Sequence, residues 1–74
     1  MRVAVIYDKV EEEYLTTAKG KSVWGSAGAA KNAALNEHNN NERWDSPNHY
    51  HSFADQDRYE CRVYDLTTIE YKAV

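Results

Sequence analysis

Of the 74 residues, 42% are hydrophobic, but nine of those 31 are alanine and only eleven are Val, Ile or Leu, so any core is small. That length sets a ceiling of one domain, burying only about 60% of the surface its unfolded chain exposes, and no apolar run approaches the roughly 20 residues of a spanning helix. Nine basic and twelve acidic side chains give net −3, divided as +1 over residues 1–34 and −4 over residues 35–74, a balance that argues against a general phosphate-binding surface.

The N-terminal stretch MRVAVIYDKVEEE lacks the long apolar region and small-residue cleavage site of a signal peptide. Within it, Arg2 to Tyr7 alternates as a strand, Val3, Val5 and Tyr7 on one face and Ala4 and Ile6 on the other, which suits a central position. Glu11, Glu12 and Glu13 then read as a solvated connection. Tyr14 to Ser26 predicts a β-hairpin around Lys19-Gly20, with Gly20 at positive φ, Thr17 facing Ser22, Thr16 facing Val23 and Leu15 facing Trp24.

Ser26 is the expected N-cap of a helix through AGAAKNAALNEH, whose stripe of Ala27, Ala30, Ala33 and Ala34 lets the axis approach a sheet closely. Asn39, Asn40 and Asn41 are expected to end it, because asparagine tolerates the left-handed conformation and competes for backbone hydrogen bonds. From about 38 to 58 periodicity is lost, and this long polar loop holds the only proline and all three histidines. Loops beyond about 12 to 15 residues in small domains are functional or disordered. Ser52 and Asp55 resemble a capping box, which allows a helical turn near Phe53 to Asp57. Tyr59 to Tyr71 closes the chain as one bent strand or two short ones, with Tyr59, Cys61 and Val63 on one face, Arg62, Tyr64 and Leu66 on the other, and a break near Thr67-Thr68. The expected architecture is α+β: an antiparallel sheet of three or four strands with one Ala-rich helix on one face.

Four constellations can carry chemistry. His49 and His51 are candidate zinc ligands with a carboxylate, although no CxxC, HxxxH or HExxH spacing accompanies them, and no metal or other cofactor is assigned. Cys61 cannot form an internal disulfide, which fits a reducing, cytoplasmic setting; its alternating strand context predicts burial, and no catalytic residue is assigned. Lys19 and Lys21 at the hairpin tip, with Lys31 nearby on the helix, could meet nucleic acid. Trp44, Tyr50 and Phe53 lie in an acidic loop with Asp45, Asp55 and Asp57, a composition typical of protein-binding anchors; the alternative is that the rings fold back to complete a core short of aliphatics.

The segment KGKSVWGSAGAAKNAALNEH, residues 19–38, resembles small uncharacterised bacteriophage accessory proteins that combine a lysine-glycine hairpin, a Trp and a Ser-capped Ala-Lys-Asn-Ala helix. Its hairpin-then-helix order also resembles, in topology only, DNA-binding modules whose sheet enters a groove, but without their arginines. The expectation is a non-enzymatic accessory protein in the host cytoplasm that binds and modulates or inhibits a host protein, such as a nucleic-acid enzyme or a defence complex. Trp44, Asp45, Tyr50, Phe53, Asp55 and Asp57 would form its contact surface, and a homodimer would help so thin a core. The alternative is a nucleic-acid-binding module using Lys19, Lys21 and Lys31.

Overall fold

The structure, a computed structural model, describes residues 1–42, 45–47, 49–53, 57–68 and 70–74. The elements run β1 (Arg2–Asp8), β2 (Glu13–Tyr14), α1 (Ala27–Asn40), β3 (Tyr59–Asp65) and β4 (Glu70–Ala73). The strands form one antiparallel sheet in the order β2-β1-β3-β4, and α1 packs on β1 and β3. This is the α+β architecture expected from the sequence, with four strands. Among the described residues, no helix is long and apolar enough to cross a membrane.

The helix forms where the sequence places it. Ser26 adopts extended backbone, and its Oγ accepts from the Ala29 N–H at 3.2 Å. Ala30 and Ala34 are fully buried, with Ala27 and Ala33 packed beside them. Small side chains on that stripe bring the helix close to Ala4 and Ile6 of β1 and Cys61 of β3, and Trp24 and Tyr59 fill the flanks of the same core. The C-terminus differs from expectation: Asn41 caps in right-handed backbone at φ −96°. Its contribution is a side-chain hydrogen bond, Nδ2 to the Glu37 carbonyl at 3.0 Å, which satisfies a carbonyl of the last turn.

The self-paired hairpin expected over Tyr14 to Ser26 does not form. Tyr14 pairs with Tyr7, and the Leu15 N–H donates to the Ile6 carbonyl at 2.8 Å. An unbroken strand would then set Thr17 opposite Ala4, yet Trp24 stands there, seven residues later, exchanging backbone hydrogen bonds with Ala4 of 2.7 and 2.9 Å. The intervening residues loop out. The reversal falls where expected, with Gly20 at φ 82°, but its register differs: Gly20 N–H donates to the Thr17 carbonyl and Thr17 N–H to the Lys21 carbonyl, so Thr17 faces Lys21 and not Ser22. The physical reason is that β1 offers both a template and a core. Opposite Ile6 and Ala4, Leu15 and Trp24 join the helix-side packing, whereas an isolated two-stranded ribbon is marginal in water.

One ion pair locks the end of the central strands. Asp8 is 5% exposed and receives Nε and Nη2 of Arg58 at 2.9 to 3.2 Å, while its Oδ1 accepts from the N–H groups of Val10 and Glu11. These bonds hold the β1–β2 connection, in which Glu12 lies at φ 55°, against the start of β3. Burial alone would raise the Asp8 carboxyl. The Arg58 guanidinium and the two backbone N–H groups outweigh it and hold the group below the ordinary carboxylate value. With the folded pKa below the unfolded one, the stabilisation is complete above the unfolded value of about 3.9 and is lost as pH falls through the folded one. Urea unfolding of Asp8→Asn is expected to show a loss of about 2 kcal/mol at neutral pH, typical of a hydrogen bond to a charged group. As pH falls from about 3.9 through the lower folded value of Asp8, its curve should converge on that of the native sequence; an unchanged gap at the acid end would contradict the assignment.

Candidate functional site

Strand alternation and register together create a surface that neither gives alone. In β1, Ala4, Ile6 and Asp8 point to α1, so Val3, Val5 and Tyr7 occupy the other face. Tyr14 stands opposite Tyr7, Arg62 opposite Val5, and Tyr64 between Val3 and Tyr71. Four of the six tyrosines thus share the uncovered face with Arg62. Tyr14 and Tyr71 are 46% and 48% exposed there, whereas the Arg62 side chain is only 16% exposed.

Arg62 is the centre of this face. Its guanidinium carbon lies 4.1 Å from the Tyr7 ring centroid, 4.6 Å from that of Tyr71 and 5.9 Å from that of Tyr14. Nε donates to Glu60 Oε2 at 2.8 Å and Nη1 to the Tyr14 hydroxyl oxygen at 3.2 Å. The hydroxyls of Tyr14 and Tyr64 are 2.8 Å apart. Edge-to-face contact between Tyr7 and Tyr14, at 5.4 Å, and a tilted pair of Tyr64 and Tyr71, at 5.1 Å, complete a continuous set of rings. Beside it, Val5, Tyr14, Ser22, Val23 and Tyr64 line a shallow apolar groove of about 350 Å³.

The electrostatics follow from this packing. Burial among the rings alone would lower the Arg62 pKa, but the Glu60 carboxylate and the Tyr14 hydroxyl outweigh it and raise the value, so the cation is permanent. The Tyr64 hydroxyl, then Arg62, hold the Tyr14 phenol below its ordinary value; donation to Tyr14 pushes Tyr64 up. Chemically, the face offers flat rings, hydroxyls that donate or accept, and one oriented cation.

The residues expected to form the partner-binding loop do not all share one environment. Tyr50 and Phe53 pack against the core, which is the second of the two readings the sequence allows. The Tyr50 ring stacks on buried His38 at 4.3 Å and 9°, and its backbone is clamped by the Asn39 side-chain amide at 2.7 and 3.0 Å. His38 Nδ1 lies 3.1 Å from the Tyr59 hydroxyl. The Lys31 ammonium lies 5.8 Å from the Phe53 centroid, and Asp45 and Asp57 are exposed. Trp44 and Asp55 lie outside the described residues, as does most of the suggested turn from Phe53 to Asp57.

Lys19 and Lys21 are exposed. Ala18 N–H donates to Glu37 Oε1 at 3.0 Å, tying their turn beside α1, the layer that also carries Lys31. His49 and His51 adjoin each other, ring centroids 6.3 Å apart, and among the described residues no group of three or more His, Cys, Asp or Glu is placed to hold a metal. Cys61 is 1% exposed, and burial pushes its thiol up, away from the thiolate a nucleophile requires.

The tyrosine network makes a spectroscopic prediction. With ring-labelled tyrosine, NMR titration should show Tyr14 ionising below the ordinary phenol value in the native sequence and returning towards it in Tyr64→Phe. A Tyr14 titration unaffected by Tyr64→Phe would contradict the hydroxyl pair.

No family model, no curated protein and no solved structure matches this chain.

Proposed function

We propose that this chain is a binding protein rather than an enzyme, an accessory protein of the bacteriophage kind whose open sheet face docks on a host protein in the cytoplasm and modulates or inhibits it. The observation that carries this reading is Arg62 held among Tyr7, Tyr14 and Tyr71 on a face that the single helix leaves uncovered. Tyrosine and arginine are the residue types that dominate interface hot spots, because each combines a large contact area with a polar tip. Here stacking and hydrogen bonds fix the side chains before any partner arrives, which lowers the ordering entropy lost on binding.

Charge supports a protein target over nucleic acid. The net charge is −3, Arg62 is already paired with Glu60, and the turn that carries Lys19 and Lys21 is tied at Ala18 to Glu37 of α1. An acidic protein can occupy a basic cleft on a nucleic-acid enzyme or defence complex, and inhibition by that route is the specific form favoured. The bacteriophage setting rests on the resemblance of residues 19–38.

The test is affinity capture from host lysate with nuclease present, comparing the native sequence with Tyr14→Ala/Arg62→Ala and with Lys19→Glu/Lys21→Glu. One protein partner is expected to survive nuclease, to weaken at least about tenfold in the Tyr14/Arg62 variant, and to persist in the lysine variant. Retention by the first variant with loss in the second, or recovery of nucleic acid alone, would overturn the proposal in favour of the lysine-based module.

A further inference from the structure

The outer edge of β4 is a second unmatched surface, separate from the tyrosine face as a docking site. β4 has a neighbour on one side only among the described residues, and Glu70, Tyr71, Lys72 and Ala73 are all exposed. The Val74 N–H donates to the Cys61 carbonyl at 2.9 Å, which fixes the phase of the strand. Glu70 and Lys72 therefore turn their backbone groups towards β3, and Tyr71 and Ala73 turn theirs to the open edge. No proline interrupts this edge, and neither charged residue points along it.

We infer that β4 pairs with β4 of a second copy, antiparallel about a two-fold axis through Tyr71. The charge pattern selects this register. Hydrogen-bonding phase allows two-fold registers centred on Glu70, Tyr71, Lys72 or Ala73, the last of which sets Lys72 only against Val74 and leaves Glu70 without a partner. Centring on Glu70 or on Lys72 sets that residue against its own copy, like charge against like. Centring on Tyr71 sets Glu70 opposite the copy's Lys72 and Lys72 opposite the copy's Glu70, two complementary pairs in the closer-spaced positions of the ladder. Such an interface is isologous and closes on itself, so it gives a dimer and not a fibre.

The surroundings leave room for it. The helix covers β1 and β3, and on its side of the sheet a groove of about 530 Å³ runs along β4, lined by Ala27, Val63, Lys72 and Val74 among others. In the dimer the two grooves meet at the axis. On the other side, each Tyr71 meets its copy, and the tyrosine face becomes continuous across eight strands. Dimerisation through the edge goes beyond the protein-binding proposal and stands or falls without it.

Sedimentation equilibrium over a micromolar to millimolar series, without any partner, tests the inference. The native sequence is expected to dimerise reversibly. Glu70→Lys and Lys72→Glu, each alone, replace two attractive pairs by two repulsive ones and should raise the dissociation constant about tenfold or more. Mixed in equal amounts, the two variants should recover the dimer, because an all-lysine edge then faces an all-glutamate edge. The double swap Glu70→Lys/Lys72→Glu should dimerise like the native sequence. A native chain monomeric throughout the series, single variants that dimerise as well as the native chain, or a mixture and double swap that both stay monomeric while circular dichroism shows native folding, would each overturn it.

Discussion

One constraint governs this molecule: a 14-residue helix is the cover for a four-stranded sheet. It reaches the two central strands on one side, and the alanine stripe lets it sit there closely at the cost of apolar area. The fully buried set is accordingly short, with Ile6 and Cys61 its largest members and Trp24 closing one flank. Polar devices supply what aliphatic volume does not. The Asp8–Arg58 ion pair pins one end of the sheet, and the Asn39 amide and His38 ring tie the loop at Tyr50 to the helix C-terminus.

The same constraint explains the chemistry of the uncovered face. Valine and leucine alone would leave a greasy sheet in water; tyrosines expose rings that keep a hydroxyl for solvent or for one another. Arg62 then serves two purposes. Its guanidinium packs against three rings, and its pairing with Glu60 and Tyr14 holds those rings in one arrangement. A surface ordered in this way is suited to recognition, because the partner need not order it. The β4 edge is left over for the same reason, since α1 packs on the central strands β1 and β3.

Much of this fold is legible in the sequence. Ser26 and the Ala30–Ala34 stripe announce the helix, β1 and β3 show their period of two, and the turn at Thr67-Thr68 follows from the change of apolar phase. The failure at Leu15 and Trp24 has a definite cause. A local turn signal identifies the reversal at Gly20 correctly, but it cannot show that Ala4 and Ile6 are better partners for the two arms than the arms are for each other. Long-range pairing outcompetes local pairing because it also buries Trp24 and packs Leu15 against the core.

The tyrosine face is less legible in the sequence for a related reason. Val3, Val5 and Tyr7 are visibly one face of a strand, and Arg62 with Tyr64 one face of another. Alternation does not say that these faces coincide; the register of Val5 with Arg62 and of Tyr7 with Tyr14 does. In the loop, the aromatic residues Tyr50 and Phe53 are recruited by the small core for packing. A count of tyrosines against the scarcity of aliphatics was the available signal, and it pointed equally to core and to surface.

The most direct measurement of the central claim is the dye accessibility of individual tyrosines by photochemically induced nuclear polarisation, recorded before and after addition of the captured partner. Strong signals from Tyr14 and Tyr71 in the free chain, with Tyr59 silent, and their suppression in the complex are what the open-face account requires. Signals from Tyr14 and Tyr71 that persist unchanged in the complex would contradict it.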